Sequence, residues 1–356
     1  MDDKAVIFSI SSSRIAKIAA GILLFLGTLE ILGRADLIIY KASFGVDYIP
    51  PFATVTKDDG FGKTTHPYQK WRQLSLNKYG FNDTDDYNFD RKPGKVRILV
   101  LGDSVAMGTG TGAGDWPSIM EKYLKDRGYD VEVINAAISA SLIESTVDRY
   151  QNWEKNFQPD IVLFQKDARR IMMPPDAVVQ RIWPLRTFQK HSAFIRKTID
   201  YRPEDYRLGV IWQRFRYGIY HVESRLSASS YLNYTEQISR LYDTTLAEQS
   251  ELVLITIPWK IGLINIEDNR EDAAEINYYM TWLTAKATIV GGDIFNNYLV
   301  NFGKNNKHVD TVDLRDVIGP EHSELFSDVV HYRRRGNEIV AKYISNQIEP
   351  LIKRYE

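Results

Sequence analysis

The chain has no cysteine. Disulfides, thiolate metal centres and a lipid-modified N-terminal cysteine are thereby excluded. Histidine is scarce: six residues, scattered without a ligand pattern such as His-Glu-x-x-His, so no metal or other cofactor is expected. There is no surplus of charge. Lys and Arg number 45 against 46 Asp and Glu, a formal net charge of −1, and this balance carries no overall signature of a nucleic-acid binder. Long apolar runs are also missing, as are internal repeats and low-complexity tracts. What remains is 356 residues, 44% hydrophobic and 26% charged, the composition of a globular protein. That length suits one large domain with accessories, or two modest ones.

The stretch with most content is Lys95 to Gly108, Lys-Val-Arg-Ile-Leu-Val-Leu-Gly-Asp-Ser-Val-Ala-Met-Gly. Val96 to Leu101 is a short apolar, partly β-branched run ended by glycine, the pattern of a buried parallel strand. Gly102-Asp103-Ser104 then turns the chain. A serine on a strand-to-helix turn, at the carboxyl edge of an open sheet, lies where such folds place their chemistry. The bland alternative is a loop that merely closes a βα turn. A second stretch, Asp328-Val-Val-His331, precedes a helical pattern near the C-terminus. A serine nucleophile needs a base, and the base needs a carboxylate to hold its tautomer. Asp and His three residues apart can meet over one turn, so a single loop can present both.

Gly-Asp-Ser after the first strand together with Asp-x-x-His before the last helix resembles the SGNH (GDSL-type) hydrolases, from about Lys95 to the C-terminus. The resemblance implies an α/β fold: a three-layer α/β/α, flavodoxin-like parallel sheet of about five strands. It also implies Ser104 as nucleophile, His331 as base and Asp328 as the carboxylate that orients it. The family's oxyanion hole combines the serine N–H, a backbone N–H after the second strand and an asparagine side chain after the third. In this chain Ser104 suits the first and Ala137, where the family usually has glycine, the second. The third motif departs: Phe164-Gln-Lys-Asp-Ala168 has no asparagine, which leaves Lys166, or Gln165, as the side-chain donor. Losing one such donor costs on the order of 10²–10³ in turnover.

The remaining elements fit the same frame. Trp116, Ile119, Met120, Tyr123 and Leu124 keep helical spacing after Asp115 as N-cap, and Gly128 stops the helix. Val131–Ile134, Ile161–Phe164, Leu252–Ile257 and Val309–Leu314 read as the second to fifth strands, with a helix around Ser145–Phe157. Strands alternating with helices argue for a parallel sheet covered on both faces. Between the third and fourth strands lies a helical insertion, about 169–250. Its part from Arg169 to Arg225 carries 12 Lys/Arg against 5 Asp/Glu, interleaved with aromatics. Solvated basic faces and a rim for an anionic partner are both compatible with it. Arg333, Arg334 and Arg335 directly follow the histidine loop and carry the same two readings.

Ahead of the sheet, residues 37–94 read as an aromatic and Pro/Gly-containing connector with too few apolar periods for a domain. Its Asn77-Lys-Tyr-Gly-Phe-Asn-Asp83 resembles the lead-in of membrane-anchored bacterial members of the family. Residues 1–36 contain the uncharged stretch Ile18–Leu29, twelve residues against the ~20 of a bilayer span. Lys4, Arg14 and Lys17 precede it, an asymmetry that favours a cytoplasmic N-terminus and export of the rest. An uncleaved signal anchor, a cleaved signal peptide and a buried amphipathic helix all fit. The anchor is the reading adopted, with an N-terminal membrane helix and the domain on the periplasmic or extracellular side.

The expectation is therefore an esterase or deacylase with no cofactor and no nucleic-acid partner. The resemblance and the exported position together point to ester-linked acyl groups, acetyl foremost, on envelope or exopolysaccharide carbohydrate. A polysaccharide O-acetyltransferase, a lipid esterase or thioesterase, and a non-catalytic glycan-binding protein remain open beside it. Oligomeric state is not addressed by the sequence.

Overall fold

The computed structural model describes residues 12–44, 56–58, 60, 63–71, 74–90, 93–109, 114–166, 210–211 and 222–355. The chain divides into two compact units, residues 1–51 with 180–203, and residues 52–179 with 204–356. In the first unit the described residues form one helix, α1 (Ser12–Phe44). Ile18, Ile22, Leu23, Leu24, Phe25 and Leu26 on it are exposed. Among the described residues no helix is long and apolar enough to cross a membrane. Glu30 and Arg34, one turn apart, form an exposed ion pair at 2.8 Å just past the uncharged stretch.

The second unit is built on a five-stranded parallel sheet of order β6-β5-β7-β8-β9. Its strands are β5 (Val96–Gly102), β6 (Val131–Asn135), β7 (Ile161–Gln165), β8 (Glu251–Ile255) and β9 (Val309–Val312). The period-2 alternation of a strand divides each one between the two faces. Ile98 and Val100 of β5 pack with Trp116, Met120 and Leu124 of α3 (Trp116–Asp126) and with Val340, Ile344 and Ile348 of α8 (Arg334–Ile352). Leu99 and Leu101 turn to the opposite face. There they meet Val147 of α4 (Ile143–Asn152), Ile238 and Leu241 of α5 (Ala228–Ala247), and Phe295 and Leu299 of α7 (Ala285–Asn305). α6 (Arg270–Tyr279) lies between β8 and α7 in the chain. Each fully buried Leu, Ile or Phe contributes ~1.5–3 kcal/mol. Sheet and helices together thus form a three-layer α/β/α unit.

Several boundaries differ from the sequence reading; the fifth strand, expected to Leu314, ends at Val312, and Leu314 begins a 3₁₀ turn. β8 ends at Ile255: the Thr256 N–H still donates to the Val312 carbonyl at 3.1 Å, but the Ile257 N–H and C=O are taken by the Asn296 side chain at 3.0 and 2.9 Å. The helix expected to Phe157 stops at Asn152 and resumes as a 3₁₀ turn, Glu154–Phe157. Within the insertion, residues 167–209 and 212–221 lie outside the described residues, and α5 is an integral helix of the unit.

The connector is also more than a linker. Strands β1 (Thr56–Asp58) and β2 (Lys63–Thr65) pair antiparallel, as do β3 (Lys70–Trp71) and β4 (Leu74–Ser75). Leu74, Leu76, Phe81 and Tyr87 are buried in the two cores. Phe81 stacks on Trp153 with ring centroids 5.8 Å apart. The short strands hide this docking from a periodicity argument.

Candidate active site

The sheet places chemistry where its first strand ends. β6 and β7 flank β5, so the connection leaving β5 goes one way and the chain later returns on the other. The β5/β7 edge is the switch point at which such sheets bind ligands. Gly102 pairs with Gln165 there. A Cβ on Gly102 would sit 2.5 Å from the Gln165 carbonyl oxygen and 2.9 Å from Ala106 Cβ, so the close approach demands glycine. Asp103 next caps the four-residue helix α2 (Ser104–Met107), its carboxylate accepting the Val105 N–H at 3.1 Å. The Ser104 carbonyl receives the N–H groups of Gly108 and Thr109, both at 3.1 Å, which fixes the turn.

The opposite side is the loop before α8. An antiparallel bridge between Phe326 and Tyr332 closes it. Asp328 Oδ1 accepts the N–H groups of Val330 at 3.0 Å and His331 at 2.8 Å. The Lys260 N–H donates to the Val329 carbonyl at 2.9 Å, tying this loop to the one after β8. Gly336 lets α8 start against it, since a Cβ there would meet the Leu325 carbonyl oxygen at 2.7 Å.

Folding brings the two loops together across 227 positions of sequence. His331 Nε2 lies 2.8 Å from Ser104 Oγ, and His331 Nδ1 lies 2.6 Å from Asp328 Oδ2. Ser104 is buried and His331 is only 12% exposed. Burial alone would raise the Asp328 carboxyl. The hydrogen bond and charge of His331, with the two backbone N–H groups, outweigh it and hold the group well below the usual carboxylate range. Asp328 is therefore ionised at neutral pH and accepts Nδ1–H, which leaves Nε2 as the acceptor for the serine proton.

The loop after β6 does not leave all its amides equally open. The Ala137 N–H is occupied, donating to Asn135 Oδ1 at 3.3 Å, and Ala137 is wholly buried. Three residues on, Ala140 has φ 57°, the left-handed region that favours glycine, and is half-exposed. Its N–H meets no acceptor among the described residues. The loop carrying it packs against the serine turn: Ile138 N–H donates to the Gly102 carbonyl at 3.1 Å and Ser139 N–H to Met107 Sδ at 3.2 Å. The clue available to the sequence was Asn135 itself, whose short side chain claims the amide two residues on, as Asx turns do.

Lys166 and Gln165 are both buried. Lys166 Nζ donates to the Ser141 carbonyl at 2.9 Å and bonds Ser141 Oγ at 3.0 Å, which fastens the Ala140 loop to the end of β7. Gln165 Oε1 accepts the Trp116 indole N–H at 2.8 Å beneath the serine turn. Asp167, beside Lys166, lies outside the described residues. Arg333, Arg334 and Arg335 are exposed at the start of α8; Arg333 Nε is fixed by the Phe326 carbonyl at 2.7 Å and Arg334 pairs with Glu338 at 3.1 Å.

No family profile matches the sequence, and no curated protein does. Among solved structures, 63 chains match. A family 3 carbohydrate esterase from Clostridium thermocellum is 12% identical, covering 73% of this chain and 98% of its own at a TM-score of 0.39. An acetyl xylan esterase is 16% identical, covering 71% and 100% at 0.38. A GDSL-like lipase from Bacteroides thetaiotaomicron is 14% identical, covering 71% and 88% at 0.38. At such identities and TM-scores these resemblances assign no activity to this chain.

Proposed function

We propose that this protein is a serine-dependent ester hydrolase that removes ester-linked acyl groups, acetyl foremost, from carbohydrate of the cell envelope or an exopolysaccharide. The carrying observation is the unbroken relay from Ser104 Oγ through His331 to the Asp328 carboxylate. In this mechanism Ser104 Oγ attacks the ester carbonyl while His331 Nε2 takes its proton. The tetrahedral oxyanion is held by the N–H groups of Ser104, where α2 begins, and Ala140. His331 returns the proton to the departing sugar oxygen. It then activates a water that releases the acyl group and restores Ser104. Asp328 stays ionised throughout and stabilises the imidazolium.

The substrate class is supported by the exposed arginines beside His331, which favour acidic glycans. The location proposed is the exported face of a membrane, with α1 as the attachment: its uncharged stretch presents exposed Leu23, Leu24 and Phe25. The test is hydrolysis of 4-nitrophenyl acetate and of acetylated oligosaccharide by the full chain in mild detergent, beside Ser104→Ala. The expected outcome is turnover by the wild type and loss of at least ~10³-fold in the variant. Equal inactivity of both on acetyl and longer acyl esters would sink the proposal.

A further inference from the structure

The serine turn is gripped from behind by side chains that the relay does not use. Asn82, in the connector ahead of the sheet, donates from Nδ2 to the Met107 carbonyl at 2.9 Å and to Asp115 Oδ2 at 3.1 Å. Its Oδ1 accepts the Ser75 N–H at 3.2 Å. Asn135, at the end of β6, makes the matching pair: Nδ2 to the Ala106 carbonyl at 3.0 Å and to Asp115 Oδ1 at 3.3 Å. Two carboxamides from different parts of the fold thus seize successive carbonyls at the end of α2 and share one carboxylate. Asp115 also accepts from the N–H and hydroxyl of Ser118, both at 2.9 Å. Asn82, Asp115 and Asn135 are all at least nine-tenths buried. Gly108, with φ 80°, lets Asp115 come this close, since a Cβ there would lie 2.7 Å from Asp115 Cβ.

Such an arrangement is costly unless it does something. α2 has only four residues, too short to hold itself. Its last carbonyls would be satisfied more simply by water at an open edge, yet two buried carboxamides are spent on them and a buried carboxylate holds both. The position of α2 sets the direction of Ser104 Oγ toward His331, and a displacement near 1 Å at a reacting atom can cost ~10²-fold in rate.

We infer that the connector is a working part of the active site, and that Asn82, with Asn135 and through Asp115, is a positioning residue that aims the Ser104 hydroxyl. The inference rests on the ester-hydrolase reading for what Ser104 does. It adds that the segment before the sheet is required for the serine's reactivity, beyond any contribution to stability.

The experiment measures the second-order rate at which an alkyl fluorophosphonate modifies Ser104 in the full chain: the Ser104 Oγ–phosphorus bond forms, fluoride leaves and His331 takes the proton. This reads the nucleophile alone, without substrate binding. Asn82→Ala is compared with Tyr87→Phe, which loosens the same connector elsewhere by removing a hydroxyl bonded to the Val133 carbonyl at 3.1 Å. The expected result is a fall of ~10–100-fold for Asn82→Ala and less than ~3-fold for Tyr87→Phe, at comparable Tm. In ester turnover the same loss falls on kcat with KM unchanged. Asn82→Asp keeps the shape and supplies a second variant should the alanine fail to fold. It sets two carboxylates face to face, with Asp83 also near Asp115. Its rate relative to wild type is expected to recover between about pH 8 and about pH 5.5, as a shared proton restores a donor. Variants within ~2-fold of wild type while the wild type reacts would overturn this inference alone. A wild type that does not react overturns the hydrolase reading and this inference together.

Discussion

Asp328 and Asp115 stand on either side of the same serine, and both accept several hydrogen bonds, yet their environments drive them in opposite directions. Asp328 faces an imidazole that gains charge during turnover, and its carboxyl is held below the ordinary range. Asp115 receives only neutral donors, lies deeper and has Asp83 nearby; burial pushes it up to about 6. Burial disfavours the charged form of both: at Asp328 the His331 hydrogen bond and charge with two backbone N–H groups outweigh it, and at Asp115 the Ser118 and Asn135 bonds do not. In the proposed mechanism the first acid is the fixed negative charge, while the second belongs to the scaffold at the end of α2.

The comparison breaks most visibly at Asp328. Asp328→Asn keeps the shape of the loop but invites the wrong imidazole tautomer, and kcat is expected to fall by ~10⁴-fold while Tm moves little. Asp115→Asn should cost less, about 10-fold in kcat, because asparagine still caps α3 through one acceptor oxygen but turns an NH2 group on the Asn82 donor. Comparable losses in the two variants would erase the distinction drawn between them.

Stability against pH sharpens the contrast. The raised Asp115 holds a proton in the folded chain that the unfolded chain has released, so its contribution falls as pH rises from about 3.8 to about 6, by up to ~3 kcal/mol. The depressed Asp328 acts with the opposite sign: its contribution is present above about 3.8 and is lost as pH falls below that value. Urea midpoints across this range should therefore flatten between pH ~4 and ~6 in Asp115→Asn, and lose their acid-side decline in Asp328→Asn. The smallest effect is expected at Ala140. Ala140→Gly relieves a left-handed backbone and should stabilise the chain by about 0.5–1 kcal/mol with activity kept, as read from Tm and acetyl ester turnover.

The elements legible in the sequence are those that local pattern encodes. The apolar run ending at Gly102 is β5, the spacing from Trp116 to Leu124 is α3 behind its Asp115 cap, and Asp-x-x-His is a loop whose internal hydrogen bonds span three residues. Long-range pairing escapes such reading. Asn82 reaches partners 25 and 33 residues away, and nothing in Asn-Lys-Tyr-Gly-Phe-Asn announces which carbonyls it will find. The free amide escapes for a similar reason: which N–H of Asn135–Ser141 remains unspent depends on φ at Ala140 and on the side chain of Asn135, and both follow from how the loop packs on α2. Lys166 was legible as a departure, but not as the tether of Ser141.

Ser104, the proposed nucleophile, follows the first strand of the sheet, and His331, its proposed base, precedes the last helix 227 positions later. During synthesis the serine therefore emerges long before the imidazole that activates it. A ribosome-bound or truncated chain that has already assembled β5 to β8 carries an inert hydroxyl. In the proposed mechanism, hydrolytic competence arrives only once the Asp328–His331 loop has been made and has docked on the serine turn.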